Sequence, residues 1–422
     1  MADFSKRLAR MLDELGRVTD EPGQLTRTFL SPAMRRANQL VAGWMKEAGL
    51  KVRVDSVGNL IGRLESKNRG AKTLLLGSHL DTVRDAGKYD GPLGVLLPIV
   101  TLGELKRRGI KLPFSVEVLG FSEEEGVRFA SAYLGSKGYC GKLRAKDLVM
   151  RDAGGVSVRE VIERWNGLTS RRSGKRVGVN ALHLKAAHTR SELMGYVEVH
   201  IEQGPVLEAK NLAVGVISAI AGQSRFKLTW TGKAGHAGTT PMALRRDALS
   251  GAAEFALAAE KLARGTAGLV ITIGSLTTSP GVANVIPGQV VHTLDVRHAK
   301  DSVRRAALFK LGRLAAAVIR KRGLKIVWQR TQDNRAMTCS PDLTAQLARS
   351  VSAVQGKSQA LVSGAGHDGV VMSTLTLVAM LFVRCRDGLS HHPDEYASPK
   401  DLAVALRVLV DFLERLAKDY RR

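Results

Sequence analysis

Aromatic side chains make up only 5% of this 422-residue chain. So thin a supply of stacking faces argues against a platform for single-stranded nucleic acid. Cysteine is also scarce: Cys140, Cys339 and Cys385 cannot all pair within one chain, and none forms a CxxC or a zinc-finger spacing. This usage fits a reducing compartment. The N-terminal stretch alternates charged and apolar residues and lacks the apolar core of a signal peptide. The longest apolar run, Leu375 to Val383 with Thr376 inside it, is too short to span a bilayer. A cytoplasmic protein with no membrane partner is expected. Acidic residues are outnumbered, 39 against 64 basic ones, for a net charge of +25. That excess admits nucleic acid, an anionic membrane or an anionic small substrate as partner. No tandem block of five Lys/Arg occurs, so nucleic acid is not the expected one.

What is present is ample apolar content, 44%, in a chain longer than one core usually supports; two domains are expected. Residues Ala33 to Ala48 carry apolar side chains at helical spacing and stop at Gly49, which reads as a glycine-capped helix. Val52 to Leu64 reads as a strand, Thr73 to Gly77 as a short buried strand, Gly94 to Arg108 as a helix and Ser115 to Phe121 as a buried strand. Buried strands alternating with helices predict an α/β catalytic domain with a mixed sheet flanked by helices. A second pattern follows Glu208: strands at Phe226 to Gly232, Val270 to Leu276 and Gln289 to Arg297, and helices at Arg246 to Leu262 and Ser302 to Arg322. It predicts an inserted α+β domain over residues 211–328, splitting the catalytic domain into 1–210 and 329–422. There the pattern returns to a helix from Asp342, a strand at Leu377 to Val383 and a helix from Pro399 to Leu416. Arg171 to Arg176 reads as a short basic loop.

In sheets of this kind ligands gather beyond the strand ends, and four polar clusters stand there. The first is His79-Leu80-Asp81 with Asp90-Gly91. A histidine past a buried strand can ligate a metal through one ring nitrogen while a nearby carboxylate holds the other. The second is Glu123-Glu124-Glu125-Gly126, where adjacent carboxylates repel unless a cation or a raised pKa relieves them. One of them can bind metal while its neighbour acts as general base. The third is His200 to Pro205, the fourth Ser390 to Glu395. Taken singly, each is as readily a solvated loop or a structural histidine. Together they offer nitrogen and oxygen ligands for one or two divalent ions with an open position for water, a set that suits zinc or manganese.

These clusters sit in the segments GSHLDTV, KYDGPLGV, EEEGVRF, HIEQGPVLE, GKAGHAGTTPMALRRDAL, ANVIPG, DVRH, SGAGHD and SHHPDE, in that order from residue 77 to residue 395. The sequence thereby resembles the M20-type binuclear metallohydrolases, and within them the amidohydrolases of carbamoyl compounds: allantoate amidohydrolases, N-carbamoyl-L-amino acid hydrolases and β-ureidopropionases. The resemblance implies two divalent ions per subunit, Mn(2+) or Zn(2+). His79 and His200 would hold one, Glu125 and His391 the other, and Asp90 would bridge them. It implies that Asp81 orients His79, that Glu124 is the general base, and that His236 donates to the tetrahedral oxyanion, from the partner subunit of a homodimer. The inserted domain would be a dimerisation lid. Arg297 would fork onto a substrate carboxylate, with Asn284 and Gln203 adding neutral hydrogen bonds. Glu123 is left as an extra acid and His392 as an extra histidine; His367 and Asp368 either line the site or pack beneath it.

The segments Thr28 to Ala33, Asp85 to Gly91 and Leu381 to Arg386 look like those of allantoate amidohydrolases, which makes allantoate the expected substrate. An N-carbamoyl-L-amino acid is the alternative. Residues 211–328 hold 17 Lys+Arg and 5 Asp+Glu, close to half of the positive excess. The helix Ser302 to Arg322, with Arg304 and Arg305 among its cations, is expected to present this charge to solvent, where it would draw in an anionic substrate.

Overall fold

The computed structural model describes residues 2–167 and 185–420; the basic loop expected at Arg171 to Arg176 lies outside them. The chain divides into two compact units. The first comprises Met1–Ser218, Cys339–Leu361 and Gly366–Arg422, and the second Ala219–Thr338 with Val362–Ala365. The second unit therefore opens and closes later than 211–328. Val214–Ile220 pairs with Val378–Val383 in the large sheet, and Lys325–Asn334, which carries no clear alternation, pairs along Gly222–Thr231.

The large sheet is mixed and nine-stranded. Its order is Lys51–Val54, Leu60–Leu64, Ser115–Phe121, Thr73–His79, Leu193–Ile201, Val378–Val383, Val214–Ile220 and Met337–Thr338, with Ala360–Ser363 also paired to Val214–Ile220. Four neighbours in this order, Ser115–Phe121, Thr73–His79, Leu193–Ile201 and Val378–Val383, run parallel. Leu74, Leu76, Val116, Val118, Val197, Val199 and Leu381 are buried in one core, as expected of strands covered on both faces. Helices Pro32–Glu47, Pro92–Arg107 and Pro399–Asp419 each begin with proline, whose missing N–H costs nothing in the first turn. Ser31 and Ser398 cap two of them.

The expected strand Val52 to Leu64 is instead a hairpin, with Val54 opposite Leu60. Asp55 makes the turn by accepting the amides of Val57 and Asn59, a side-chain competition that apolar spacing does not reveal.

The second unit carries a five-stranded sheet ordered Leu276–Ser279, Gln289–His298, Gly222–Thr231 and Lys325–Asn334, with Val270–Thr272 also on Gln289–His298. Val270 to Leu276 is thus two pieces rather than one strand. Helices Ala248–Arg264 and Asp301–Arg322 bury Phe255, Ala259, Leu311 and Val318 with Trp230 and Leu294. Arg304 departs from the expected solvated cation. It is 1% exposed and pairs with Asp301 at 3.0 Å and with Asp333.

Candidate active site

The parallel strands end in step: His79 stands opposite Phe121, and His200 opposite Phe382. Their ends therefore deliver His79, His200, the Ser122 to Gly126 loop and the segment after Val383 to one edge of the sheet. Asp90 lies at the centre. Its Oδ1 is 3.3 Å from Nε2 of His79 and 3.1 Å from Nε2 of His200. Its Oδ2 is 3.5 Å from Nε2 of His391, which is 3.6 Å from Oε1 of Glu125. Gly91, just after it, has a φ of +80°, and a Cβ there would stand 2.4 Å from the His79 ring. Only glycine meets both demands.

Each ligand candidate is held from behind. The Nδ1 of His79 is 3.0 Å from the carbonyl of Asp81 and 3.4 Å from its Oδ1, and Nδ1 of His200 is 3.0 Å from the carbonyl of Ile201. Both rings thus turn Nε2 toward Asp90, the orientation a metal ligand needs. Asp81 also accepts the amides of Glu124 and Glu125, at 3.0 and 3.1 Å. The carboxylates of Glu124 and Glu125 come within 4.8 Å of a ring nitrogen of His79, whereas Glu123 turns its carboxylate back onto the amide of Gly126. His391 has a φ of +57°, strain of the kind found at functional sites. His392 instead accepts the amide of Asp394.

Charge follows from this packing. Burial and the charge of Glu125 push the Glu124 carboxyl well above its usual range; burial and Asp90 do the same to Glu125. Burial works against charge on His79 and His200, but bonding to Asp81 and Asp90 outweighs it for His79, and Asp90 does so for His200, so both bind protons more tightly. Burial also opposes the charge on Asp90, and His200 and His79 overcome it. Three sets of donor atoms, His79/Asp90/His200, His79/Glu124/Glu125 and Asp90/Glu125/His391, each fall within 4.8 Å of one another. Mixed imidazole and carboxylate donors at that spacing fit a divalent metal.

Gln203 stands beside Asp90. Its amide nitrogen donates to Asp90 Oδ2 at 2.7 Å and to Ser390 Oγ at 3.3 Å. What remains is Oε1, a buried acceptor without a hydrogen-bond partner, which suits an N–H and not a carboxylate. Two residues that sequence reasoning passed over complete the ring. Ser390 donates to Asp90 Oδ2 at 2.6 Å, and Glu395 accepts the amides of Tyr89 and Asp90 at 2.8 and 3.0 Å. Both stand in the SHHPDE segment, at its first and last positions. His367 packs edge-on against His200, with ring centroids 4.5 Å apart. Asp368 is wholly buried, and burial and Glu198 raise its carboxyl well above the usual range.

The second unit holds the other three expected residues. His236 accepts the amides of Gly238 and Thr239 on Nδ1, at 3.1 and 3.2 Å. Its proton is thereby placed on Nε2, which is left as a donor. Arg297 gives Nε and Nη2 to Asp295 at 3.0 and 2.8 Å, and Nη1 to the carbonyl of Gly364 at 2.6 Å. One edge of its fork is therefore taken. Asn284 is exposed and bonds through its carbonyl to the amide of Ala237.

Histidines and carboxylates gathered at the carboxyl ends of parallel strands, with buried glutamates beside them, are the donor set of a metallohydrolase. The chain belongs to Peptidase family M20/M25/M40, whose profile matches residues 75–415. It is 41% identical to an allantoate deiminase of Arabidopsis thaliana, over 96% of this chain and 81% of that one. It is 38% identical to an N-carbamoyl-L-amino acid amidohydrolase of Geobacillus stearothermophilus, over 98% of each. The crystal structure of an amidase of the hydantoinase/carbamoylase family from Burkholderia multivorans superposes with a TM-score of 0.89, at 31% identity, over 97% of both chains. The protein is a hydrolase of C–N bonds in a metal-dependent family. Among the described residues no helix is long and apolar enough to cross a membrane.

Proposed function

We propose that this protein hydrolyses a linear ureido substrate bearing a free carboxylate, allantoate first, giving ureidoglycine, ammonia and carbon dioxide. One observation carries the reading: the two oxygens of Asp90 face two different donor sets, His79 with His200 and His391 with Glu125. That division supports two divalent ions, Mn(2+) or Zn(2+), with Asp90 common to both. Such ions, when bound, supply Lewis acidity and lower the pKa of water.

The protein's own groups do the rest. Glu124, buried beside His79 and Glu125, accepts a proton from the attacking water and returns it to the departing nitrogen. Asp81 keeps His79 and the two glutamate amides in register. The Nε2–H of His236, supplied by the partner subunit of a homodimer, donates to the oxygen that gains negative charge. Arg297, through the N–H groups that Asp295 and Gly364 leave, and Asn284 take the carboxylate, while Oε1 of Gln203 accepts a ureido N–H. A homodimer in the cytoplasm is the assembly and setting we assign.

The second reading, an N-carbamoyl-L-amino acid as substrate, has the Geobacillus relative behind it. Purified protein loaded with manganese and assayed on allantoate beside N-carbamoyl-methionine separates the two. A higher kcat/KM for allantoate is expected, and a clear preference for N-carbamoyl-methionine reverses the assignment. Chelation should abolish turnover and manganese or zinc restore it; activity that survives exhaustive chelation removes the metal reading.

A further inference from the structure

Arg27 is fully buried in the first unit, and among the described residues it forms no ion pair with a carboxylate. Its guanidinium bonds only to carbonyls: Nε donates to Leu80, and Nη1 to Leu15 at 3.2 Å and Val18 at 2.9 Å, while Nη2 is buried without a hydrogen-bond partner. Its backbone engages Thr82 twice, the Arg27 amide on Thr82 Oγ1 and the Thr82 amide on the Arg27 carbonyl, both at 2.9 Å. Residue 27 therefore grips the chain on either side of Asp81. Leu15 lies in the last turn of the helix Ala2–Gly16, where the carbonyls carry partial negative charge and favour a cation.

Burying a guanidinium on neutral carbonyls is costly packing, and an apolar side chain would fill the space more cheaply. The return is at Asp81. That carboxylate has three tasks at once: it faces Nδ1 of His79 and accepts the amides of Glu124 and Glu125. A shift of Leu80 or Thr82 would move all three together. A lysine could not replace the fork, because one ammonium on a flexible stem does not span carbonyls on two separate segments in a fixed plane.

We infer that Arg27 is a positioning residue for the metal centre: its guanidinium fixes the Leu80 carbonyl, which steadies Asp81 beside it, and through Asp81 sets His79, Glu124 and Glu125. This rests on the metallohydrolase reading above, so the test reads metal binding as well as turnover. Apo wild type, Arg27→Gln, Arg27→Lys and Asp81→Asn are titrated with Mn(2+) by calorimetry, and their kcat and KM are measured at saturating Mn(2+). Wild type that binds no Mn(2+) would defeat the metal reading itself.

Given binding by wild type, Arg27→Gln should weaken Mn(2+) affinity at least tenfold and lower kcat at least tenfold, with KM within threefold. Arg27→Lys, the variant most certain to fold, should recover only part of both. Its effect should also be absorbed by Asp81→Asn, so that the double variant is no worse than Asp81→Asn alone. A merely structural arginine would lower the thermal midpoint and leave affinity and kcat per folded molecule unchanged. Affinity and kcat within twofold of wild type in folded Arg27→Lys, or losses that multiply with those of Asp81→Asn, would overturn the inference.

Discussion

The hydroxyl of Ser390 donates to Oδ2 of Asp90 at 2.6 Å, joining two residues that lie three hundred positions apart in the chain. The same hydroxyl lies 3.1 Å from Glu395, whose other oxygen accepts the amides of Tyr89 and Asp90. Asp90 is thus aimed by two residues that are not themselves ligand candidates. Ser390→Ala removes a bond to a charged acceptor, worth about 1.5–3 kcal/mol, and should weaken metal affinity by about tenfold to a hundredfold. Metal titration of the purified variant measures it; affinity equal to wild type would mean that Asp90 is placed without Ser390.

Glu124→Gln keeps the shape of the side chain and its backbone bond to Asp81 and removes only the base. Metal content and fold should persist while kcat falls by about a hundredfold to ten thousandfold. Single-turnover kinetics at saturating metal are the measurement. Near wild-type turnover would assign the base elsewhere in the cluster.

Most of the site stands where apolar strand patterns stop, which is why His79, Glu124, Glu125 and His200 could be found from residue order. Two choices rested on the family resemblance, because composition and spacing do not make them. Three consecutive glutamates look alike in sequence, and side-chain direction separates Glu124 and Glu125, near His79, from Glu123, on the amide of Gly126. His391 and His392 are likewise distinguished by direction, one toward Asp90 and Glu125, the other onto the amide of Asp394. Ser390, Glu395 and Arg27 stayed hidden because their partners lie far away in the chain or are backbone carbonyls, which carry no compositional mark. The hairpin at Asp55 and the buried Arg304 were misread for a related reason: side-chain hydrogen bonds override what apolar spacing suggests.

Arg297 already holds Asp295 and the Gly364 carbonyl, and Asp295 also collects Gln223 and Arg225. Arg297→Ala should therefore raise KM for a carboxylate-bearing substrate by about tenfold to a hundredfold, as for a lost bond between charged groups. Arg297→Lys should recover little of it, since the fork is lost. Steady-state kinetics decide the matter. An unchanged KM and kcat in Arg297→Ala would leave this arginine as a brace for Asp295 alone.

Arg304 gives the second unit a dependence on pH whose sign can be worked out. The Arg304 guanidinium holds the Asp333 carboxyl below its ordinary value, and for Asp301 burial pulls upward but the Ala336 amide and Arg304 prevail and lower it. Groups whose folded pKa is lowered stabilise the fold above the unfolded value, about 3.9 for aspartate. They lose that contribution as pH falls through the lower, folded value. Acid should therefore weaken this unit below about pH 4, while the pair stays intact at neutrality. Arg304→Met removes the cation but keeps a stem of similar length, and both aspartates are exposed enough to hydrate. The cost at pH 7 should be on the order of 2 kcal/mol, below that of breaking a fully buried pair. The difference between variant and wild type should shrink as pH is lowered toward 3. Urea unfolding followed by tryptophan fluorescence at several pH values tests this, with Trp230 and Trp328 both in the second unit. A difference that holds constant from pH 7 to pH 3 would show that Arg304 stabilises by packing and not through Asp301 and Asp333.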